Sequence, residues 1–96
     1  MAYTVEVSPA AERELRKLPS QVRNTLLRRL ASLRDDPRPP DAKKLSSPEN
    51  LWRIREDNYR VIYRIKDDVL LVVVVRAGHR KEIYRQLSRL MKSVQK

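Results

Sequence analysis

The stretch from Leu51 to Tyr84 constrains the fold of this chain more than any other part of it. It contains three runs rich in Val, Ile and Tyr, which are residues that favour half-buried strands. Two short polar breaks, Asp57–Asn58 and Asp67–Asp68, separate the runs. Two-residue loops match the natural twist of paired strands best. The sequence therefore predicts a three-stranded antiparallel meander with a two-residue turn at each break.

Counting outward from the first turn gives a register in which Arg55 lies opposite Arg60 and Arg53 opposite Ile62. Side chains alternate between the two faces of a strand, so four arginines project from one side of the predicted sheet. They are Arg53, Arg55, Arg60 and Arg64. Like charges directly opposite each other are destabilising. This side is therefore either a solvated face whose long side chains reach into water, or a surface that binds a polyanion.

Counting outward from the second turn places Lys66 opposite Val69 and Arg60 opposite Val75. The last predicted strand, Val69 to Arg76, is apolar on both faces, as a central strand should be. It therefore needs cover on both sides of the sheet.

The N-terminal part predicts a strand followed by two helices. Tyr3 to Val7 alternates as a strand does. Ser8 and Pro9 form a helix start, with a capping hydroxyl before a proline, and Ala10 to Leu18 follows as a short helix. Ser20 is expected to cap a second helix, which Asp35-Asp36-Pro37 ends. Its inner stripe consists of Val22, Leu26, Leu30 and Leu33.

Residues 37–48 read as a proline-stiffened loop, from which Leu45 is expected to tuck under the sheet. After the meander, a final helix is expected with one apolar stripe. Its members are Ile83, Leu87, Leu90, Met91 and Val94. The sequence thus predicts one α+β domain over residues 1–96. An N-terminal strand joins the three-stranded meander in one sheet, beside a helical hairpin and a C-terminal helix.

The charge balance points to an acidic partner. The chain has 22 Lys and Arg against 12 Asp and Glu, a formal net charge of +10. Nucleic acid, an acidic protein and an anionic membrane are the candidates. The longest apolar run, residues 69–75, is too short to span a bilayer, and the N-terminus lacks a signal-peptide layout. Because the chain has no cysteine, one histidine and one glycine, we expect no metal site, no cofactor and no phosphate-cradling loop. We expect a cytoplasmic location.

The meander also gathers the residues that could do chemistry. It brings Arg60 close to Gly78, His79 and Arg80, and Tyr84 follows Arg80 by one helical turn. Arg53, Arg55, Arg60 and Arg80 would surround one depression, with Tyr84 and His79 at its rim. Arg64, Lys43 and Lys44 add positive charge nearby. Guanidinium groups match the paired oxygens of phosphate, and an aromatic edge can stack on an RNA base.

Cleaving RNA without a metal requires three things. The ribose 2′-OH must lose a proton, the phosphate charge must be stabilised, and the leaving 5′ oxygen must gain a proton. Arginines can supply the second. Tyr84 could act as the base because neighbouring positive charge lowers the pKa of a phenol. His79 is the alternative base, by its intrinsic pKa.

Two segments together, WRIREDNYRVIYRI and VRAGHRKEIYR, resemble the RelE/ParE superfamily of type II toxins, and within it the RelE branch. The resemblance covers nearly the whole chain and implies a fold like that of a small microbial ribonuclease. It implies a ribosome-dependent endoribonuclease that cuts mRNA in the A site. The family's basic positions fall on Arg53, Arg55, Arg60 and Arg80, and its tyrosine falls on Tyr84.

The resemblance also implies partners. They are an acidic RelB-like antitoxin, the ribosome and mRNA, with operator DNA bound only through the antitoxin and no membrane. Arginine stands at positions 53 and 55, where RelE toxins often carry lysine, which leaves the assignment of proton transfer open. Two other functions remain possible for this fold: a ParE-like toxin that blocks DNA gyrase, and a non-catalytic RNA-binding module.

Overall fold

The computed structural model describes residues 2–45 and 50–85. Its strands are Thr4–Val7 (β1), Lys43–Lys44 (β2), Leu51–Glu56 (β3), Tyr59–Lys66 (β4) and Leu71–His79 (β5). These five form one sheet in the order β1-β5-β4-β3-β2. β1 is parallel to β5, and the other neighbours are antiparallel. The helices Pro9–Arg16 (α1) and Ser20–Ser32 (α2) connect β1 to β2. Residues 80–85, called the 80–85 segment below, are helical.

The predicted α+β class and element order are confirmed, with one strand more than expected. Lys43 and Lys44, predicted to lie in a loop, pair with Arg53 and Trp52. The edge of β3 offers unpaired backbone groups, and the residues beyond the prolines are free to extend along it. The predicted final helix has begun by Arg80. Four of its stripe positions lie outside the described residues: Leu87, Leu90, Met91 and Val94.

Helix α1 forms as its sequence indicates. The Ser8 hydroxyl accepts a 3.1 Å hydrogen bond from the N–H of Ala11, and Pro9 occupies the first turn. Ala11 and Leu15 are buried against the sheet. Capping satisfies a backbone donor that the helix itself leaves without a partner. The same hydroxyl donates to the carbonyl of Val75 at 3.1 Å, so this cap also joins α1 to β5.

Helix α2 differs from the prediction in two details. Pro19 occupies the N-cap position with an extended backbone, and Ser20 is the first helical residue without a side-chain cap. The helix ends at Ser32, before the Asp35-Asp36-Pro37 stop, because Leu33 already closes the last turn through its N–H to the carbonyl of Leu30. The predicted inner stripe is confirmed. Leu26, Leu30 and Leu33 are buried and Val22 packs at their margin.

The first hairpin has the predicted register. Glu56 pairs with Tyr59, Arg55 with Arg60, and the pairing continues to Leu51 opposite Arg64. Asp57 supports the two-residue turn by adopting a positive φ of 55°. Aspartate tolerates this left-handed region better than most residues do.

The second hairpin does not have the predicted register. Lys66 pairs with Leu71 rather than Val69, because a 3-10 turn over Asp67–Val69 and a left-handed Leu70 lengthen the loop. A bulge at Ile62/Tyr63 then moves the pairing by one further residue, so that Arg60 lies opposite Gly78 and not Val75. Bulges of this kind insert a residue into one strand and change its twist. The last strand accordingly runs three residues further than predicted, to His79.

The main core lies between the two helices and one side of the sheet, called the helix face below. Its buried members from the sheet include Ile54, Val61, Tyr63, Val72 and Val74. The Tyr63 hydroxyl donates a 2.7 Å hydrogen bond to the carbonyl of Pro37, which satisfies a buried polar group.

The loop before β2 is fastened to the sheet through Arg38. Arg38 donates to both carboxylate oxygens of Asp67, at 3.2 and 2.7 Å, and its guanidinium lies 5.1 Å from the ring centre of Trp52. The Tyr3 hydroxyl donates to the same aspartate at 2.7 Å. These contacts give Asp67 a specific role, since it joins the second turn to both Arg38 and Tyr3.

The opposite side of the sheet, called the arginine face below, carries a smaller apolar cluster. Leu51, Ile62 and Ile83 are buried there, with Leu45 and Val75 packed beside them. The prediction that Leu45 lies under the sheet is confirmed. Ile83 belongs to the 80–85 segment, which therefore rests on this face. None of the helices among residues 2–45 and 50–85 has the length and apolar character needed to cross a bilayer.

Candidate nucleic-acid interface and active site

The arginine face takes its name from Arg53 and Arg55 of β3 and Arg60 of β4. Arg55 lies directly opposite Arg60, and Arg53 lies opposite Ile62. Lys43, on the added edge strand, is the register partner of Arg53 and so shares its face. The sheet thus presents a row of four cations across three neighbouring strands.

Arg60 is the most enclosed of these cations. Its side chain is 6% exposed, and its Nη1 donates 2.9 Å hydrogen bonds to the carbonyls of Asp57 and Tyr59. Its buried Nε has no hydrogen-bond partner in the described part of the chain, and neither has that of Arg53. Across residues 2–45 and 50–85, no carboxylate forms an ion pair with Arg53, Arg55 or Arg60. Their positive charge therefore remains available to an anion.

Tyr84 stands over this row on the 80–85 segment. Its side chain is half exposed, while the preceding Ile83 is buried and anchors the segment. The pKa of Tyr84 is lowered from the ordinary 10.0, chiefly by side-chain hydrogen bonding with Arg60 and then by the charges of Arg53 and Arg60. Positive neighbours stabilise the phenolate. The phenol and two guanidinium groups therefore form one centre.

Gly78 lies beneath the segment that carries Tyr84. A Cβ at Gly78 would lie 3.8 Å from Cδ1 of Ile83, so the isoleucine packs directly over the glycine. The N–H of Arg80 donates a 2.7 Å hydrogen bond to the carbonyl of Asn58. This bond fixes the start of the 80–85 segment against the first turn. The side chain of Arg80 is exposed.

The structure places three predicted residues away from the centre. Arg64 is on the same face but four positions from Arg60 along β4, about 13 Å at the rise of a strand. Lys44 is the partner of Trp52, whose ring packs on the helix face, so the register directs Lys44 to that side.

His79 also faces away from Arg60. It pairs with Tyr59, and the two rings meet edge to face with centroids 5.7 Å apart. Tyr59 packs against the main core, which lies on the helix face. The Nδ1 atom of His79 accepts a 3.3 Å hydrogen bond from the N–H of Lys81. The imidazole is therefore engaged on the other side of the sheet from Tyr84.

The first turn has a part in the centre that its sequence does not predict. Asp57 and Asn58 are expected only to connect two strands, yet their carbonyls hold Arg60 and the N–H of Arg80. The signal was present in the two-residue break, since a turn that short brings its carbonyls close to the ends of both strands.

A cleft of about 420 Å³ lies beside the same turn, on the helix face. Gln21, Asn24 and Arg28 of α2 line one wall, and Asp57 and Tyr59 line the other. The cleft and the arginine face therefore meet at Asp57. In the part of the chain that the structure describes, acidic and histidine side chains do not gather in threes as they would around a metal ion.

The sequence of this chain matches a known family over most of its length. The model of the family described as the ParE toxin of the type II toxin–antitoxin system parDE matches residues 5–84. Among curated proteins, the mRNA interferase toxin RelE of Escherichia coli K12 is 33% identical over 90 residues, covering 90% of this chain and 94% of that protein. Toxin RelG of Mycobacterium tuberculosis is 31% identical over 87 residues, covering 90% of this chain and all of that protein.

Solved structures agree with these matches. The toxin–antitoxin complex RelBE2 of Mycobacterium tuberculosis contains a chain that superimposes with a TM-score of 0.73 at 30% identity, covering 83% of this chain and all of that one. The isolated E. coli RelE toxin gives a TM-score of 0.72 at 29% identity, covering 92% of this chain and 97% of that one. The chain therefore belongs to the RelE/ParE superfamily of type II toxins, on its RelE-like branch.

Proposed function

We propose that this protein is an endoribonuclease toxin that cleaves mRNA on the ribosome and so stops translation. One observation carries the proposal: the Tyr84 phenol, with its lowered pKa, lies beside Arg60 and Arg53, which have no carboxylate partner in the described residues. A phenol whose pKa is lowered by neighbouring guanidinium groups suits proton abstraction next to a phosphate. The related E. coli protein is named an mRNA interferase, which supports the same activity.

The proposed reaction is attack of a ribose 2′ oxygen on the adjacent phosphorus. Tyr84, as phenolate, takes the 2′ proton. The O2′–P bond forms, the P–O5′ bond breaks, and a 2′,3′-cyclic phosphate and a 5′-hydroxyl end result. Arg53 and Arg60 stabilise the charge on the phosphate oxygens.

Arg80 is assigned to the charge on the leaving 5′ oxygen, which draws its proton from water, because a guanidinium is too basic to be an efficient acid. Lys43 and Arg55 bind neighbouring phosphates, and Arg64 binds one further along the strand. Lys44 and His79 face away from this path and are given no step, although both were expected near it.

The proposed partners are the translating ribosome, its message and a RelB-like antitoxin, which places the activity in the cytoplasm. Solved relatives from M. tuberculosis and E. coli were obtained as RelBE toxin–antitoxin complexes. The net charge of +10 favours an acidic antitoxin segment as well as RNA. We propose that the antitoxin competes with the terminal helix for the apolar strip around Ile62 and Val75, and that operator DNA is bound only through it.

The test is a translating extract dosed with the purified protein, followed by mapping of breaks in the message. Wild-type protein should cut at positions set by the ribosome, and Tyr84→Phe should cut at least about a hundredfold more slowly. Arg13→Ala is the matched control, because it removes an exposed arginine from α1, away from the arginine face. Full cutting by Tyr84→Phe would contradict the assignment of the base.

A second candidate is a toxin that blocks DNA gyrase, favoured by the ParE description of the matching family. It predicts inhibited supercoiling in a purified gyrase assay and an intact message in the extract. A non-catalytic RNA-binding module predicts a third result: RNA binding that weakens steeply with salt, without any breaks.

A further inference from the structure

The first turn holds both halves of the centre through its backbone. The carbonyl of Asp57 accepts a 2.9 Å hydrogen bond from Nη1 of Arg60. The carbonyl of the next residue, Asn58, accepts a 2.7 Å hydrogen bond from the N–H of Arg80, where the 80–85 segment begins. That segment carries Tyr84. Two consecutive carbonyls therefore fix a guanidinium on β4 and the helical segment above it.

The direction of both carbonyls depends on the backbone of Asp57. Its φ of 55° lies in the left-handed region, which glycine, asparagine and aspartate adopt more readily than other residues. A residue that restores a negative φ rotates the peptide units on either side of position 57. Both hydrogen-bond acceptors then move away from their present donors.

We propose that the Asp57–Asn58 turn is the positioning element of the centre, and that the left-handed backbone of Asp57 sets where Arg60 stands relative to Tyr84. Asp57 is a positioning residue and acts through its main chain. Its effect on cleavage rests on the function proposed above, whereas its effect on the placement of Arg60 and Tyr84 does not.

The carboxylate of Asp57 is not part of this role. The side chain is exposed, and the oxygen that Arg60 contacts is the main-chain one. In the described residues, no ion pair joins this carboxylate to a cation. Replacing the charge while keeping the backbone should therefore leave the centre intact.

The test compares four variants at one position. Asp57→Gly and Asp57→Asn keep access to the left-handed region, and the second also removes only the charge. Asp57→Val disfavours that region strongly, and Asp57→Ala disfavours it less and serves if the valine variant does not fold. The first readout is the absorbance titration of Tyr84, taken as the difference from the same variant carrying Tyr84→Phe. The second is the rate of message cleavage.

A matched control lies at the other end of β4. Leu70 is the other non-glycine residue with a positive φ in the described chain, at 51°, and it belongs to the second turn. Leu70→Val imposes the same kind of backbone conflict far from Tyr84. It should lower thermal stability while leaving the titration of Tyr84 unchanged.

We expect Asp57→Val to move the pKa of Tyr84 back toward its ordinary value and to slow cleavage about a hundredfold, as small misplacements of catalytic groups do. The glycine and asparagine variants should keep the acid dissociation constant of Tyr84 and the rate of cleavage within about threefold of the wild-type values. An unchanged Tyr84 titration in Asp57→Val or Asp57→Ala, a loss in Asp57→Asn, or an equal shift in Leu70→Val would each overturn the proposal. If wild-type protein cuts no message, the proposed function fails, and the titration still decides the positioning role.

Discussion

Arg60 shows at the scale of single residues why the arginine face is more than a solvated surface. A solvated arginine extends into water, yet Arg60 is 6% exposed and its Nη1 donates to two main-chain carbonyls. Burying a charge without an opposite charge is costly. In the described residues Arg60 has no carboxylate partner, and it lies beside Tyr84. This arrangement suits a site that binds a phosphate.

The lowered pKa of Tyr84 predicts the pH dependence of cleavage. In the proposed mechanism the phenolate is the base, so the rate should rise with pH and level off once the phenol is ionised, below the ordinary pKa of 10.0. Arg53→Ala removes one of the charges that lower this pKa, so its profile should level off at a higher pH. Single-turnover cleavage rates measured against pH check both statements. A profile that is the same in both proteins would contradict the role of Arg53.

Tyr63 provides a residue-scale test of the core. Burial raises the pKa of Tyr63 above the ordinary value of 10.0. A raised pKa in the folded state means that the unfolded protein ionises first, so stability is fully present below pH 10 and falls as the pH rises above it. Tyr63→Phe should lose about 1 kcal/mol at neutral pH, through the hydrogen bond to Pro37, and should lose less of its remaining stability at alkaline pH. Denaturant unfolding at several pH values measures both effects.

At the scale of elements, the two hairpins show what sequence pattern can and cannot predict. The first hairpin was predicted pair by pair, because its turn has two residues and an aspartate that tolerates a positive φ. The predicted register of the second hairpin was wrong by two residues between the turn and the bulge, and by three residues beyond the bulge. Leucine at position 70 gives no warning of a left-handed backbone, and nothing in an all-apolar strand marks the bulge at Ile62/Tyr63.

The errors in the register of the second hairpin had little effect on the predicted site, for a physical reason. The longer loop moved the pairing by two residues, which keeps every side chain on its face. The bulge moved the pairing of β4 with β5 by one residue, but the pairing of Arg53 and Arg55 with β4 continues without a shift. The neighbours of Arg60 on β5 therefore changed, whereas the row of arginines did not. The sequence misjudged the surroundings of Lys44 and His79, since the register directs Lys44 to the helix face and the ring of His79 joins Tyr59 there.

The helix starts offer an element-scale test with an internal control. The Ser8 hydroxyl caps α1 and also donates to the carbonyl of Val75, whereas Ser20 begins α2 with no capping bond. Ser8→Ala should therefore lower the free energy of unfolding by about 1 kcal/mol, and Ser20→Ala should change it by less than about 0.5 kcal/mol. Urea unfolding of both variants measures the difference. Equal losses would contradict the assignment of the cap.

At the scale of the whole molecule, the two faces of the sheet have different roles. The helix face buries the main core, and the arginine face carries the cations, with only a small apolar cluster around Ile62 beneath the 80–85 segment. Composition predicted the excess of positive charge. Strand alternation predicted which face of the sheet carries it. The 80–85 segment covers the apolar cluster with Ile83 and also brings Tyr84 to Arg60, so its packing on this face assembles the centre.

Tyr84 and Arg53 are proposed to act as parts of one cleavage centre, and a double-mutant cycle tests this most directly. Single-turnover rates on ribosome-bound message would be measured for wild type, Tyr84→Phe, Arg53→Ala and the double variant. Groups that act as a unit are strongly non-additive, so the double variant should be about as slow as the slower single variant. Rate losses that simply multiply would contradict a shared centre.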